Sequence, residues 1–352
     1  MDMEKYDYRK IIPDLLQWYD ENKRSLPWRE EKNPYYTWVS EIMLQQTRVE
    51  AVKEYFLRFI GALPEVRDLA YAPEEQLLKL WEGLGYYNRV RNLSVAAKTI
   101  VEEKGGNFPD TYEEILELKG VGSYTAGAIA SIAFGEQVPA VDGNVLRVMK
   151  RLAGSYDDIQ KAKTKKNMEE QLKPIIPKRA GDFNQAIMDL GAMICIPNGR
   201  PLCEECPLAK HCQAKKLGLQ QELPVKTKKK GRRIEEKTVL LLECQGEYAL
   251  HKRGNTGILA GLWELPNLEG NYTKEEIVEI LEEYENIIEM TELGPGKHIF
   301  SHIEWHMQGY KIVLKNKIKT QEYVWVNSEE CRENYAIPTA FSQYTKRIFQ
   351  VS

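Results

Sequence analysis

The stretch Leu118-Lys-Gly-Val-Gly-Ser-Tyr-Thr-Ala126 decides how this chain is read. Glu113 to Leu118 and Tyr124 to Phe134 carry helical patterns, and Lys119-Gly-Val-Gly122 leaves room only for a tight turn between them. Glycine permits such a turn and lets another backbone come close. The second helix starts there, so the free N–H groups around Gly120, Val121 and Gly122 suit a phosphate oxygen. Taken alone, the same residues also describe a plain helix–helix turn with glycine caps. Two carboxylates elsewhere in the chain favour the phosphate reading.

The first lies in Trp38-Val-Ser-Glu-Ile-Met-Leu-Gln-Gln-Thr47, which opens a helix with an acid set against its apolar pattern. Glu41 and Gln45 are four residues apart and share a face beside the Ile42–Val49–Phe56 stripe. Partial burial there is expected to raise the Glu41 pKa and make it a proton donor near neutral pH. The plainer alternative is a first-turn acid that complements the helix dipole. The second carboxylate lies in Val141-Asp-Gly-Asn-Val-Leu-Arg147, where Asp142 stands at an expected helix start. As an N-cap it accepts backbone N–H bonds and stays ionised, and on its own it is no more than a cap. A protonated Glu beside an ionised Asp is what cleavage of a glycosidic bond requires. One protonates the leaving group, and the other stabilises or traps an oxocarbenium-like sugar.

With 352 residues, 43% of them hydrophobic and 29% charged, the chain suits two globular domains. Its net charge of -3 means that any phosphate-binding surface must come from local clusters of Lys and Arg. Met1 to Lys10 lacks the apolar core of a signal peptide, and no uncharged run is long enough to span a membrane, so the expected setting is the cytosol. Val39, Ile42, Val49, Val52, Phe56 and Phe59 recur at helical spacing, and further helices are predicted over Asn144–Leu152, Lys166–Ile175 and Asp182–Met193. Beyond Cys212 the pattern changes. Lys226 to Arg233 holds six basic residues in eight and reads as a solvated linker. β-type runs follow at Lys237–Glu243, Tyr248–Lys252, Tyr310–Leu314 and Glu322–Val326, with a charged helical stretch over Lys274–Glu285. The expected fold is therefore an all-α domain joined to an α+β domain. Of six cysteines, Cys195, Cys203, Cys206 and Cys212 are crowded together, which in the cytosol suggests metal or cluster ligation. Spacing alone does not separate zinc from iron–sulfur. Cys244 and Cys331 read as buried or inert thiols.

Leu26-Pro-Trp-Arg29, Ser40 to Thr47, Gly83-Leu-Gly-Tyr-Tyr87, the glycine hairpin and Asp142-Gly-Asn144, in this order, resemble the motif set of the MutY family of adenine DNA glycosylases. That family belongs to the helix–hairpin–helix (endonuclease III) superfamily, and the resemblance runs through nearly the whole chain. It implies Glu41 as general acid at adenine N7 and Asp142 as the carboxylate at C1′, supported by Asn144 and Tyr124. It implies an adenine pocket of Arg24, Trp28, Arg29, Leu44 and Gln185. Gln46, Thr47, Leu84 and Tyr86 would wedge into the duplex or contact the damaged partner base, and the four cysteines would hold one 4Fe–4S cluster. The first cysteine gap, Ile196 to Leu202, is one residue longer than the family's usual six, and the Pro197–Pro201 loop is expected to absorb it. Arg200, Lys210 and Lys215 nearby suit either phosphate contact or ordinary solvation, and His211 reads as a bystander. Bifunctional superfamily members carry a lysine two residues after the second glycine. Tyr124 stands there instead, and a phenol cannot form a Schiff base, so hydrolysis without strand cleavage is expected.

Leu259-Ala-Gly-Leu-Trp-Glu-Leu-Pro266 looks like the opening of a Nudix fold. Glu276 falls at the offset of that fold's metal-binding helix, yet Glu282-Glu-Tyr-Glu-Asn-Ile287 lacks the Arg of the motif, so diphosphatase activity is not expected. His298-Ile-Phe-Ser-His302 looks instead like the family's damage-sensing loop. Ser301 would read the edge of 8-oxoguanine, flanked by Phe300 and His302; otherwise the loop is a strand end with Phe in the core. The expected domains are 1–217 for the glycosylase, with its cluster loop at 195–212, 218–235 for a basic linker, and 236–352 for a Nudix-like reading domain. The expected partner is duplex DNA with an A·8-oxoguanine or A·G mispair, met by a monomer in the bacterial cytoplasm. The rivals are a pyrimidine glycosylase-lyase, opposed by Tyr124 and the second domain, and a non-catalytic DNA-binding scaffold, opposed by the presence of both carboxylates.

Overall fold

The computed structural model describes residues 6–227, 231–281 and 284–349. Helices come first: α1 Ile12–Asn22, α2 Pro34–Leu44, α3 Val49–Ala62, α4 Val66–Tyr71, α5 Glu74–Leu80 and α6 Asn88–Glu103. Then follow α7 Tyr112–Leu116, α8 Ser123–Ala133, α9 Gly143–Ala153, α10 Ala162–Leu172, α11 Ala180–Met193 and α12 Gln213–Leu217. The rest of the chain holds β1 Arg233–Cys244, β2 Glu247–Lys252, β3 Trp263–Glu264, β4 Asn267–Glu269, α13 Lys274–Leu281, β5 Ile287–Ile299, β6 Ile303–Leu314, β7 Tyr323–Val326, α14 Ser328–Asn334 and α15 Ser342–Phe349.

The chain divides into two units, one of residues 1–71 and 92–228 and one of residues 229–352 with 72–91. The excursion of 72–91 is tied into the second unit by its polar groups. Lys79 donates to the Tyr335 carbonyl (3.1 Å), Ile337 N–H donates to Glu82 (2.8 Å) and Arg91 donates to the Ala260 carbonyl (2.7 Å). The contiguous boundaries read from the sequence did not include this excursion, because nothing in its helical pattern says what it packs on.

In the helical unit, the apolar stripe from Val39 to Phe59 is carried by two helices. α2 stops at Leu44, and Gln46 turns the chain with φ +64° before α3 begins at Val49. Glu41 therefore sits in the last turns of α2, whose first turn holds no acid, and the helix-dipole reading of Glu41 falls. One core gathers Leu15, Val145, Met149, Phe183, Ile187 and Leu190 from α1, α9 and α11, all nearly fully buried. At the glycine hairpin, only the first glycine is demanded by conformation. Gly120 has φ +80°, and a Cβ there would meet the Asn92 side chain at 2.6 Å; Gly122 caps α8 with extended backbone and open space beside it.

In the other unit, the sheet runs β3-β2-β1-β6-β5, with β4 on β1 and β7 on β2. β1 and β6 are parallel, while β5 and β6 form an antiparallel pair. Alternate residues of β1 feed opposite faces: Val239 and Leu241 pack with Phe341, Tyr344 and Ile348, whereas Leu240, Leu242 and Cys244 pack with Ile277. Cys331 is buried like Cys244, as expected. Both faces are thus covered, and β1 reads as one apolar run. β5, β3, β4, α14 and α15 have no counterpart in the sequence reading. β5 is largely exposed and interrupted by Gly294, Pro295 and Gly296, so it lacks the apolar alternation that reveals a strand. The expected linker gives way to strand at Arg233, and its Lys228 to Lys230 lie outside the described residues.

Candidate active site

Glu41 is 6% exposed on α2, a helix whose other side chains are mostly apolar and buried. Tyr124, from the first turn of α8, donates its hydroxyl to Glu41 Oε2 at 2.6 Å. Burial pushes the Glu41 carboxyl up to about 7, against the Tyr124 hydrogen bond and the Arg29 charge, which pull it down; the nearby Asp142 charge adds to the rise. The Tyr124 phenol is driven well above its ordinary range, first by burial and then by the charges of Glu41 and Asp142, so it stays a donor.

Asp142 is the N-cap of α9. Its Oδ1 accepts from Asn144 N (2.9 Å) and Val145 N (2.8 Å), and its Oδ2 accepts from Asn144 Nδ2 (2.7 Å). Burial raises its pKa as well, opposed by these same bonds and by the Arg147 charge. Capping therefore restrains, and does not fully cancel, the cost of placing the carboxylate at the wall of a cleft. Asn144 is fixed in turn by Arg147, which donates to its Oδ1 at 3.0 Å and to the Gly191 carbonyl at 2.8 Å.

Glu41, Asp142, Tyr124 and Asn144 meet in one cleft of about 480 Å³. Its walls also include Arg24, Trp28, Arg29, Leu44, Gln46 and Thr47. Gln185 lines a neighbouring cavity of about 570 Å³ that shares Arg24, Trp28 and Arg29, and its amide donates to the Gly181 carbonyl at 3.3 Å. Two residues at the site were missed in the sequence, one in the cleft wall and one behind it. Met188 lies 3.8 Å from the Tyr124 hydroxyl through its sulfur. Asp189 binds Arg24 and Arg29; the available signal was an acid set inside the apolar run from Ala186 to Ile194.

Cys195, Cys203, Cys206 and Cys212 line a single pocket between α9, α11 and the loop before α12. The loop after Cys195 closes through Leu202 N–H to the Ile194 carbonyl (3.0 Å), with Gly199 at φ +78° making the turn. Among the described residues no three His, Cys, Asp or Glu side chains meet as a single-ion site. Four thiols along one pocket are a donor set suited to metal or cluster ligation. Arg151 donates to Cys195 Sγ at 3.2 Å, a contact suited to thiolate. Burial drives the Cys206 thiol up to about 12, which an unligated thiol at this position would retain. The neighbouring cations are already engaged: Lys210 and His211 pair with Asp14, and Lys215 with Glu204. His211 thus has a structural partner and Arg200 stays exposed.

The residues expected to form a reading loop belong to the other unit. Phe300 stacks edge-on against His298 (4.6 Å) and Trp305 (4.8 Å), so its ring joins the core while Ser301 stays exposed at the β5–β6 turn. His302 accepts from Arg233 N–H through its carbonyl at 3.0 Å. Tyr86, half exposed with φ +48°, shares a 2.9 Å hydrogen bond with the Ser301 hydroxyl, and Leu84 beside it is buried. Glu276 is spent on its own helix. It accepts from Thr273 N (2.8 Å), and Thr273 Oγ1 accepts from Glu276 N (3.3 Å), the reciprocal pair of a capping box. Glu282 and Glu283 lie outside the described residues.

Residues 39–177 match the HhH-GPD superfamily of base excision DNA repair proteins, and residues 238–347 match the NUDIX domain. An adenine DNA glycosylase of Rattus norvegicus is 35% identical over 96% of this chain and 77% of its own length. Another, of Buchnera aphidicola subsp. Baizongia pistaciae, is 34% identical over 95% of both chains. The chain belongs to the adenine DNA glycosylase family. The enzyme is thus a hydrolase of N-glycosyl bonds that works in base excision repair, with an endonuclease III-like helical domain and a Nudix-like domain. A thermostable thymine-DNA glycosylase superposes on it with TM-score 0.54 and 29% identity, covering 59% of this chain and 97% of that one. Endonuclease III in a non-covalent DNA complex superposes with TM-score 0.52 at 24% identity, over 61% of this chain and all of the other, and shows the shared fold. Among the described residues no helix is long and apolar enough to cross a membrane.

Proposed function

We propose that the enzyme excises adenine opposite 8-oxoguanine, or opposite guanine, in duplex DNA by hydrolysis alone. The observation that carries this reading is the 2.6 Å bond from Tyr124 to Glu41 in a cleft shared with Asp142. Tyr124 occupies one carboxyl oxygen of Glu41 and leaves the other for the proton delivered to adenine N7. Asp142, held by Asn144 and the start of α9, faces the positive charge that develops at C1′ and stabilises or traps it. Glu41, now ionised, then draws a proton from the attacking water. No lysine lines the cleft among the described residues, which supports a monofunctional course.

Adenine must leave the base stack to reach this cleft, at a cost of a few kcal/mol that a mispair reduces. Gln46, Thr47, Leu84 and Tyr86 are assigned to the gap it leaves, and Ser301, flanked by Phe300 and His302, to the damaged partner. The Gly120–Gly122 turn is assigned to a phosphate. In this reading 1–217 carries the chemistry, 218–235 links, and 236–352 reads the partner base, with the enzyme acting as a monomer. The four cysteines are assigned to a 4Fe–4S cluster, which would tie the Cys195–Cys212 loop to α9 and α11. Iron and acid-labile sulfide in equal amounts, four of each per chain, would support it; stoichiometric zinc would replace it.

The deciding test is single-turnover cleavage of a labelled duplex with one A·8-oxoguanine pair. Strand breaks that appear only after alkali are expected. Breaks without alkali would mean a lyase, and adenine retained throughout would leave a binding scaffold.

A further inference from the structure

Asp189 has no exposed side-chain surface. Five N–H groups converge on its carboxylate. Arg24 contributes its backbone N (3.3 Å), Nε (2.9 Å) and Nη2 (2.6 Å), and Arg29 contributes Nη1 (2.8 Å) and Nη2 (3.0 Å). A carboxylate buried this deeply is costly unless paired, and here it is paired twice. Both arginines come from the segment between α1 and α2, and both stand in the wall of the Glu41 cleft. Guanidinium charge beside Glu41 favours its ionised form and so opposes its use as an acid. Two unopposed guanidinium groups would deepen that effect; Asp189 leaves the trio with one net positive charge.

We propose that Asp189 is a positioning residue for excision: it pins Arg24 and Arg29 in the cleft wall and offsets enough of their charge for Glu41 to keep its proton. This rests on the reading of Glu41 as the general acid. The charged and titratable groups around Glu41 are Arg24 and Arg29, Tyr124 from α8, Asp142 at the start of α9 and, behind the arginines, Asp189 from α11.

Asp189→Asn preserves shape and removes the charge. The descending limb of the single-turnover pH profile, set by Glu41, should move down by about one unit. Excision then falls about tenfold at pH 8 and stays within about twofold of the parent at pH 5.5. A purely structural anchor predicts an equal loss at every pH with the limb unmoved, and that result would overturn the proposal. Arg29→Gln leaves Asp189 paired to Arg24 and should move the limb up, which carries the test if Asp189→Asn does not fold; an unmoved or lowered limb overturns it. A ¹³C NMR titration of the Glu41 carboxyl, assigned by its loss in Glu41→Gln, reads the same shift without turnover. Equal Glu41 titration in parent and Asp189→Asn would refute the role of Asp189 alone. A shifted Glu41 in an enzyme that releases no adenine would refute the excision reading alone.

Discussion

The Glu41 cleft and the Ser301 turn use polar groups in opposite ways. In the helical unit Glu41 is buried among apolar helices, and Asp142 and Asn144 at the cleft wall are held by several hydrogen bonds each. In the sheet unit Ser301 stands in solvent on a hairpin turn, while the aromatic rings of Phe300 and Trp305 anchor the turn from below. The contrast suits the proposed tasks. Proton transfer to a base needs a carboxyl whose pKa lies near the working pH, and for Glu41 removal from water is the largest cause of that rise. Reading a base edge needs a donor and acceptor that water can leave quickly, so burial would be a disadvantage.

The comparison breaks if the buried groups turn out to be dispensable. Glu41→Gln and Asp142→Asn should each lower single-turnover adenine excision by about a thousandfold, with duplex affinity retained. A loss below tenfold in either would remove that group from the chemistry. Next in size is the pH response. With Glu41 acting in its protonated form, as proposed, excision should fall as pH rises through about 7, by about fiftyfold between pH 7 and 9. A rate that rises over that range would reverse its role.

Stability offers an independent reading of the same burial. The folded pKa of Glu41 lies above its ordinary value, so its proton stabilises the fold fully at low pH, and that contribution is lost as pH rises through about 7. Glu41→Gln, which never ionises, should thus be more stable than the parent at pH 8, on the order of 2 kcal/mol, with the gap closing by pH 5. Urea unfolding at the two pH values measures this. The smallest effect belongs to the exposed side of the comparison. Ser301→Ala removes one neutral hydrogen bond, so preference for 8-oxoguanine over guanine should fall by about threefold to tenfold, with excision from A·G unchanged. Equal losses on both duplexes would place Ser301 in folding or general DNA binding.

Much of the helical unit was legible in the residue pattern. Glycines at a helix start, an aspartate just before a helix and four clustered cysteines each carry a local physical meaning, and the family resemblance assembled them. The sheet unit was harder to read. The Lys237–Glu243 run showed because both its faces are buried, whereas β5 is largely exposed and broken by glycine and proline. Its pairing with β6 depends on a register that no local pattern encodes.

By itself, the sequence determined which groups were available: an acid in an apolar helix, a capping aspartate, a tyrosine where a lysine would make a lyase, and thiols in number enough for a cluster. These are local properties of residue type and spacing. Tertiary structure alone decided which of them meet. It ended α2 at Leu44 so that Glu41 and the Gln46 turn face one cleft, and it placed Tyr124 within 2.6 Å of Glu41 across 83 residues. It also buried Asp189 beneath two arginines more than 150 residues away, and brought Tyr86 to Ser301. Proton affinity depends on what surrounds a carboxyl in space, and a linear pattern records only what precedes and follows it.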